Sequence, residues 1–152
     1  MLAVMPIHQD FCFSGYTAAV PLFEPPGPHL KESCLADPHY YSTIDYGTDF
    51  AVEFHIDVEL AIQSSGHFNA IGLLTNNFLA FVLSEGRAVQ WLMNEFVMPI
   101  PDPMEVATGD CVSIQFAYRA GCSLEELQES LNAEVVSRAR PSSMNEPLKR
   151  AA

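Results

Sequence analysis

Apolar and polar side chains alternate from residue 50 to residue 62, and no other feature of the sequence constrains the fold so strongly. The apolar positions are Phe50, Val52, Phe54, Ile56, Val58, Leu60 and Ile62, and the polar ones are Glu53, His55, Asp57 and Glu59. Period two is typical of a β-strand with one buried face and one face toward solvent. The run therefore predicts a long strand with an acidic outer face.

Shorter apolar runs predict further strands. Residues 2–7 form one run, and residues 68–74 and 78–83 form two more, joined by a Thr-Asn-Asn sequence at residues 75–77. Because asparagine bonds readily to nearby backbone groups, we expect a turn at this junction.

The segment from residue 90 to residue 118 predicts a strand, a loop, a short strand, a turn and a last strand. The only tryptophan, Trp91, begins the first apolar run, and prolines at 99, 101 and 103 favour a loop because they lack an N–H donor. Gly109-Asp110 favours a tight turn, since glycine accepts positive φ and aspartate bonds its own backbone. Strands that recur about every ten residues predict an antiparallel barrel or sandwich.

One helix is predicted near the C-terminus. Ser123 followed by Glu126 has the spacing of a capping box, and apolar residues at helical spacing then predict an amphipathic helix over residues 123–134. The polar residues 138–152 predict a flexible tail. The sequence as a whole predicts a mainly β domain over residues 1–137, an antiparallel β-barrel or sandwich with one short C-terminal helix.

The charge balance is strongly acidic. Asp and Glu number 19 against 7 Lys and Arg, a formal net charge of −12. Such a charge either serves solubility alone or attracts basic ligands, and it repels nucleic acids and anionic membranes, so we expect neither of these as a partner. No signal-peptide pattern occurs, no apolar run approaches the roughly 20 residues that span a bilayer, and the cysteines are scattered. These features predict a cytoplasmic protein with reduced thiols.

Motifs of an independent active site are absent from the sequence, which has no glycine-rich phosphate loop, nucleophile elbow or His-Glu-x-x-His pattern. His8 with Asp10, and Asp37 with His39, could each give two metal ligands, but a site needs three or four that converge. We therefore predict no catalytic residue and no metal in this chain. Trp91 stays open between a core residue and a residue at the rim of a site.

Several short segments follow one another in a recognisable order. They are Ile44-Asp45, the run 68–73, Gln90-Trp91, Met98-Pro99-Ile100 and Val106-Ala107-Thr108-Gly109-Asp110. Together with the opening residues 2–10 they resemble the C-terminal barrel of the protein arginine methyltransferases. In that family a Thr-His-Trp loop precedes an apolar strand, a proline-containing loop and a Val-x-x-Gly-Asp/Glu turn.

The resemblance implies a division of labour. In that family an N-terminal half binds S-adenosylmethionine and grips the substrate guanidinium with two glutamates, while the barrel closes the other wall of the substrate cleft. By position, Gln90 and Trp91 would help to place the arginine, with Gln90 where the family has histidine and Val89 where it has threonine. This chain would then bind no cofactor and be inactive alone, because the cofactor-binding domain lies upstream or in trans.

Two hypotheses from different classes stay open, and a metal-dependent barrel enzyme of cupin type is a third. The chain is either the substrate-binding barrel portion of an arginine methyltransferase-like enzyme, acting on an arginine-containing protein or peptide, or an autonomous or degenerate β-barrel module for binding or interaction. The first predicts bare apolar surface along residues 2–7, where an absent domain would dock. A well-covered strand there would count against it.

Overall fold

The computed structural model describes residues 1–10, 13–22, 34–45, 47–48 and 51–137, without the side chains of residues 22, 76–79 and 90–95. The elements are β1 Leu2–Ile7, β2 Val20–Leu22, β3 His39–Ser42, β4 Glu53–Ala61, β5 Gly66–Val82, β6 Arg87–Val106, β7 Cys111–Arg119, α1 Leu124–Glu129 and β8 Asn132–Ser137. The prediction of a mainly β fold with one short helix is confirmed. Phe50 and the predicted tail at residues 138–152 lie outside the described residues.

The strands form two antiparallel sheets. The larger sheet has the order β2-β6-β5-β1-β3, and the smaller sheet has the order β4-β7-β8. The described strands do not close into a barrel, so the fold is sandwich-like. Among the described residues, no helix is both long enough and apolar enough to cross a bilayer.

The core contains side chains from both sheets and from α1. Its members include Val4, Phe68, Ile71 and Met98 of the larger sheet, Phe54, Ile56, Val112 and Ile114 of the smaller sheet, and Leu127 of α1. Burying one such large side chain contributes about 1.5–3 kcal/mol. Along β4 the polar residues stay exposed while Phe54 and Ile56 are buried, which confirms the two-faced pattern over residues 53–61. Val52, predicted to lie on the buried face, precedes the strand and is 45% exposed.

β1 is covered on both faces. It lies between β5 and β3 in the larger sheet, and Ala3, Val4, Met5 and Ile7 expose between 0% and 1% of their surface. The bare apolar strand that the absent-domain hypothesis predicts at residues 2–7 is therefore not found, which counts against that hypothesis.

β5 and β6 form one long hairpin. β5 runs unbroken through residues 75–77, so the predicted turn there is wrong. Thr75 pairs with Met93 and Asn77 with Trp91, and the register shifts between Leu73 and Thr75. Pairing with β6 on both sides of this shift outweighs the weak strand propensity of asparagine.

β6 also continues through the prolines between residues 99 and 103, so the predicted loop is wrong. Pro99 pairs with Ala70, and Met104 pairs with Phe68. Four residues of β6 therefore stand opposite a single residue of β5. A bulge of this kind accepts proline because its residues do not all donate to the ladder.

α1 is shorter than the predicted helix over residues 123–134. The capping box forms as predicted: the Ser123 hydroxyl accepts from the N–H of Glu126 at 3.1 Å, and the Glu126 carboxylate accepts from the N–H of Ser123 at 2.9 Å. The helix ends at Glu129. From Asn132 onward the chain pairs with β7 as β8, because strand hydrogen bonds replace those of a longer helix.

Candidate ligand-binding cleft

A cleft of about 710 Å³ opens where four parts of the chain meet: the turn at residues 13–16, the first residues of β5, the bulged part of β6 and the end of α1. Aromatic, proline and polar side chains dominate its described lining, which includes no lysine or arginine. The lining residues are Phe13, Ser14, Gly15, Tyr16, His67, Asn69, Pro99, Ile100, Pro101, Pro103, Gln128, Glu129 and Leu131.

The turn at residues 13–16 presents two aromatic rings to the cleft. The N–H of Tyr16 donates to the carbonyl of Phe13 at 3.0 Å. Gly15 has a φ of 84°, a left-handed conformation that glycine adopts without strain. The rings of Phe13 and Tyr16 lie edge to face with centroids 6.1 Å apart. Tyr16 is 47% exposed, so a ligand can stack on its ring.

Gln128 joins α1 to the bulge of β6. Its Nε2 donates to the carbonyl of Pro99 at 2.7 Å, and this bond fixes the amide orientation because a carbonyl cannot donate. Its Oε1 is buried and has no hydrogen-bond partner among the described residues. The next residue, Glu129, is exposed and places a carboxylate at the same end of the cleft.

The side chain of Asn69 stabilises the wall of the cleft. The regular pairing of β1 with β5 ends at Ile7 and Ala70. Beyond this pair the Asn69 Oδ1 accepts from the N–H of Gln9 at 2.9 Å, and its Nδ2 donates to the carbonyl of Gln9 at 2.7 Å. The Asn69 amide thus makes the same two hydrogen bonds with Gln9 that a paired strand residue would make, and it positions the chain that follows β1.

Two histidines near Asn69 each contact a carboxylate. The His8 Nδ1 lies 3.0 Å from the carbonyl oxygen of His67, and its Nε2 lies 3.0 Å from Asp10 Oδ1. Both of these partners are hydrogen-bond acceptors. The His67 Nδ1 lies 2.9 Å from the Glu105 carboxylate, and the two imidazoles meet edge to face at 6.1 Å. These pairs form a polar rim beside the cleft.

The two residue pairs considered for metal binding have different hydrogen-bond partners in the structure. His8 and Asp10 come together as described, whereas Asp37 accepts a hydrogen bond from Gln63 Nε2 at 2.7 Å. In the part of the chain that the structure describes, no three His, Cys, Asp or Glu side chains converge as metal ligands.

A second cavity, of about 630 Å³, lies beside a tyrosine pair. Tyr118, Arg119, Cys122 and Glu126 are among its lining residues. The Tyr118 hydroxyl lies 3.0 Å from that of Tyr41. Burial, followed by the hydrogen bond with Tyr118, raises the pKa of Tyr41 well above its usual value, and burial also raises the pKa of Tyr118. Both hydroxyls are therefore neutral at pH 7, and Arg119 makes this cavity less suited to a cation than the larger cleft.

Gln90 and Trp91, to which the resemblance assigns substrate positioning, lie in β6 away from the cleft. Their backbones pair with Phe78 and Asn77 of β5, and their side chains lie outside the described part of the structure. Trp91 and Pro99 are roughly 25 Å apart along an extended strand. The fold therefore separates this pair from the cleft residues.

The cleft residues were not found from the sequence. The aromatic turn carries a usable signal, because Phe13 and Tyr16 flank a glycine that can adopt positive φ. Gln128 and Glu129 carry none, since they resemble any polar residues on an exposed helix face.

The chain matches no family model, and no curated protein is significantly similar to it. The fold and the cleft define a class: a mainly β, sandwich-like domain with an open aromatic and polar cleft. Membership of the arginine methyltransferase family stays a prediction.

Proposed function

We propose that this domain binds arginine-containing proteins or peptides by holding the arginine side chain in the cleft. The observation that carries the proposal is the joint presence of Tyr16 and Glu129 in a cleft whose described lining has no lysine or arginine. The net charge of −12 favours a cationic ligand over an anionic one.

Tyr16 and Glu129 suit the two aspects of a guanidinium group. Its plane stacks on an aromatic ring, which is worth about 0.5–1 kcal/mol at an exposed site, and its edge gives paired N–H donors to a carboxylate. A donor that reached the buried Oε1 of Gln128 would also satisfy an acceptor that lacks a described partner. An ammonium group lacks the planar face, so we expect arginine to bind more tightly than lysine, with a Kd on the order of 0.1 mM.

The methyltransferase hypothesis is a second candidate, which shares the arginine-containing ligand but assigns a different binding site. In it, the domain would present the arginine to a domain that binds S-adenosylmethionine, upstream or in trans. Its support is the order of sequence segments, whereas the covered β1 counts against it. Gln90 and Trp91 would then contact the substrate, whereas the cleft proposal places the arginine at the other end of β6.

The two sites can be separated by titrating the protein with acetyl-Gly-Arg-Gly-amide and recording amide chemical shifts and the fluorescence of Trp91. We expect shifts around Tyr16 and Glu129, at least fivefold weaker binding in Tyr16→Ala and Glu129→Gln, and no binding of the citrulline peptide. Glu125→Gln is the matched control, because it removes the same charge from the same helix outside the cleft lining.

Other outcomes would contradict the cleft. Fluorescence changes with shifts confined to residues 77–92 would transfer the site to Gln90 and Trp91. Equal weakening by Glu129→Gln and Glu125→Gln would show attraction by net charge without a defined site.

A further inference from the structure

The outer face of the smaller sheet carries two glutamates in register, one on each of the strands that flank β7. Glu59 of β4 stands opposite Ser113 of β7, and Ser113 stands opposite Glu134 of β8. Residues that are directly opposite in adjacent strands project to the same face. We call Glu59, Ser113 and Glu134 the outer row.

Ser113 is the buried centre of the outer row. Its neighbours Val112 and Ile114 are fully buried in the core, so alternation along β7 turns Ser113 toward the outer face. Nevertheless Ser113 is only 6% exposed, while Glu59 and Glu134 are exposed. The Ser113 hydroxyl forms no side-chain hydrogen bond with any described residue, while the Cys111 thiol donates to the Glu59 carboxylate at 3.9 Å.

The outer row brings two carboxylates to either side of this hydroxyl. Adjacent strands are about 4.8 Å apart, so the backbones of Glu59 and Glu134 lie about 10 Å apart with Ser113 between them. The next row differs, because Gln115 Nε2 donates to Asp57 Oδ1 at 3.2 Å. Burial and then the nearby Glu59 raise the pKa of the Cys111 thiol, so no second negative charge forms there at pH 7.

We infer that the outer row binds a lysine side chain of a basic protein segment. An ammonium group has three donors, and Glu59, Ser113 and Glu134 offer acceptors from three adjacent strands on one face of the sheet. The arrangement attracts a cation from both sides and places between the two carboxylates a hydroxyl that has no side-chain partner among the described residues. This site is separate from the cleft and does not depend on it.

The test uses acetyl-Lys-Ser-Lys-Ser-Lys-amide at 0.15 M salt, with amide chemical shifts as the readout. We expect saturable shifts at Glu59, Ser113 and Glu134, which acetylation of the lysines abolishes. The double variant Glu59→Gln/Glu134→Gln should bind at least tenfold more weakly, and Ser113→Ala about threefold more weakly. The matched control is Glu53→Gln/Glu125→Gln, which removes the same charge while leaving the outer row intact. Tyr16→Ala, which alters the cleft, should change nothing.

Three outcomes would overturn the inference. If the control pair weakens binding as much as the outer-row pair, net charge alone attracts the peptide. If the shifts map to residues 13–16 and 128–131, the lysines enter the cleft. If an arginine version binds tenfold more tightly at the same residues, the row does not select an ammonium group. Thermal unfolding of each variant verifies that it is folded.

Discussion

Single polar side chains complete the hydrogen bonding of strands that stop in this protein. Asn69 pairs with both backbone groups of Gln9. The carboxylate of Asp110, which is 2% exposed, accepts from the N–H of Ala107 at 3.0 Å and so closes the predicted Gly-Asp turn. Gln128 occupies the carbonyl of Pro99 in the same way. Because backbone groups left without partners are costly when buried, these side chains allow strands to end and a cleft to open.

The tyrosine pair predicts a loss of stability in alkali. The folded-state pKa of Tyr41 is raised above its unfolded value, so the unfolded chain releases this proton first as pH rises. The contribution is therefore fully present below about pH 10 and declines above it, by up to about 1.4 kcal/mol per pH unit for each such tyrosine. We expect the free energy of unfolding to stay level up to about pH 10 and to fall above it, which urea titration at a series of pH values measures.

Two variants separate the contribution of Tyr41 from that of other groups that lose a proton at high pH. Tyr41→Phe should lose less stability over the same pH range than the unmodified protein, because it has no proton to release. Tyr40→Phe is the control, since Tyr40 is 56% exposed. The same decline in all three proteins would contradict the assignment.

At the scale of elements, α1 is a short helix that depends on its ends. Its N-terminus has a complete capping box, the carbonyl of Leu124 accepts from the N–H of Ala19 at 3.1 Å, and Leu127 is buried. Ser123→Ala should lower the free energy of unfolding by about 1 kcal/mol, because it removes the side-chain acceptor for an N-terminal N–H. Urea unfolding measures this change.

A second substitution at residue 123 serves as a control for Ser123→Ala. Ser123→Asp should restore the stability that Ser123→Ala loses, because aspartate is an equally good N-cap residue. Since α1 positions Glu129, Ser123→Ala should also weaken binding of the arginine peptide. A Ser123→Asp variant as unstable as Ser123→Ala would mean that the hydroxyl acts through some other contact.

Sequence patterns predicted a strand or a helix end correctly where only one local preference applied to the segment. The alternation in β4 and the capping box of Ser123 were sufficient, because each specifies its own geometry. The same rules failed at residues 75–77 and at Pro99, where pairing with a distant strand outweighs local turn propensity. The helix was predicted too long because Leu131 kept helical spacing, although it is buried beside the start of β8.

At the scale of the whole molecule, the cleft could not be predicted from one sequence. It joins residues 13–16, 99–103 and 128–131, which are remote in the chain and meet only once both sheets are formed. The outer row likewise needs the register of β4, β7 and β8. The sequence does predict the sign of the ligand charge. A net charge of −12 favours cations at either site, whatever the strand order.

Because the net charge both destabilises the compact state and attracts cations, added salt should raise stability and weaken binding. Like charges repel one another in the compact state, and salt screens them over a Debye length of about 10 Å at 0.1 M. We therefore expect the Tm of the free protein to rise between 0.01 M and 0.15 M NaCl, while its affinity for the arginine peptide falls. Calorimetric scans and peptide titrations at matched salt measure both. If affinity is independent of salt, charge does not drive binding, and the acidic composition serves solubility alone.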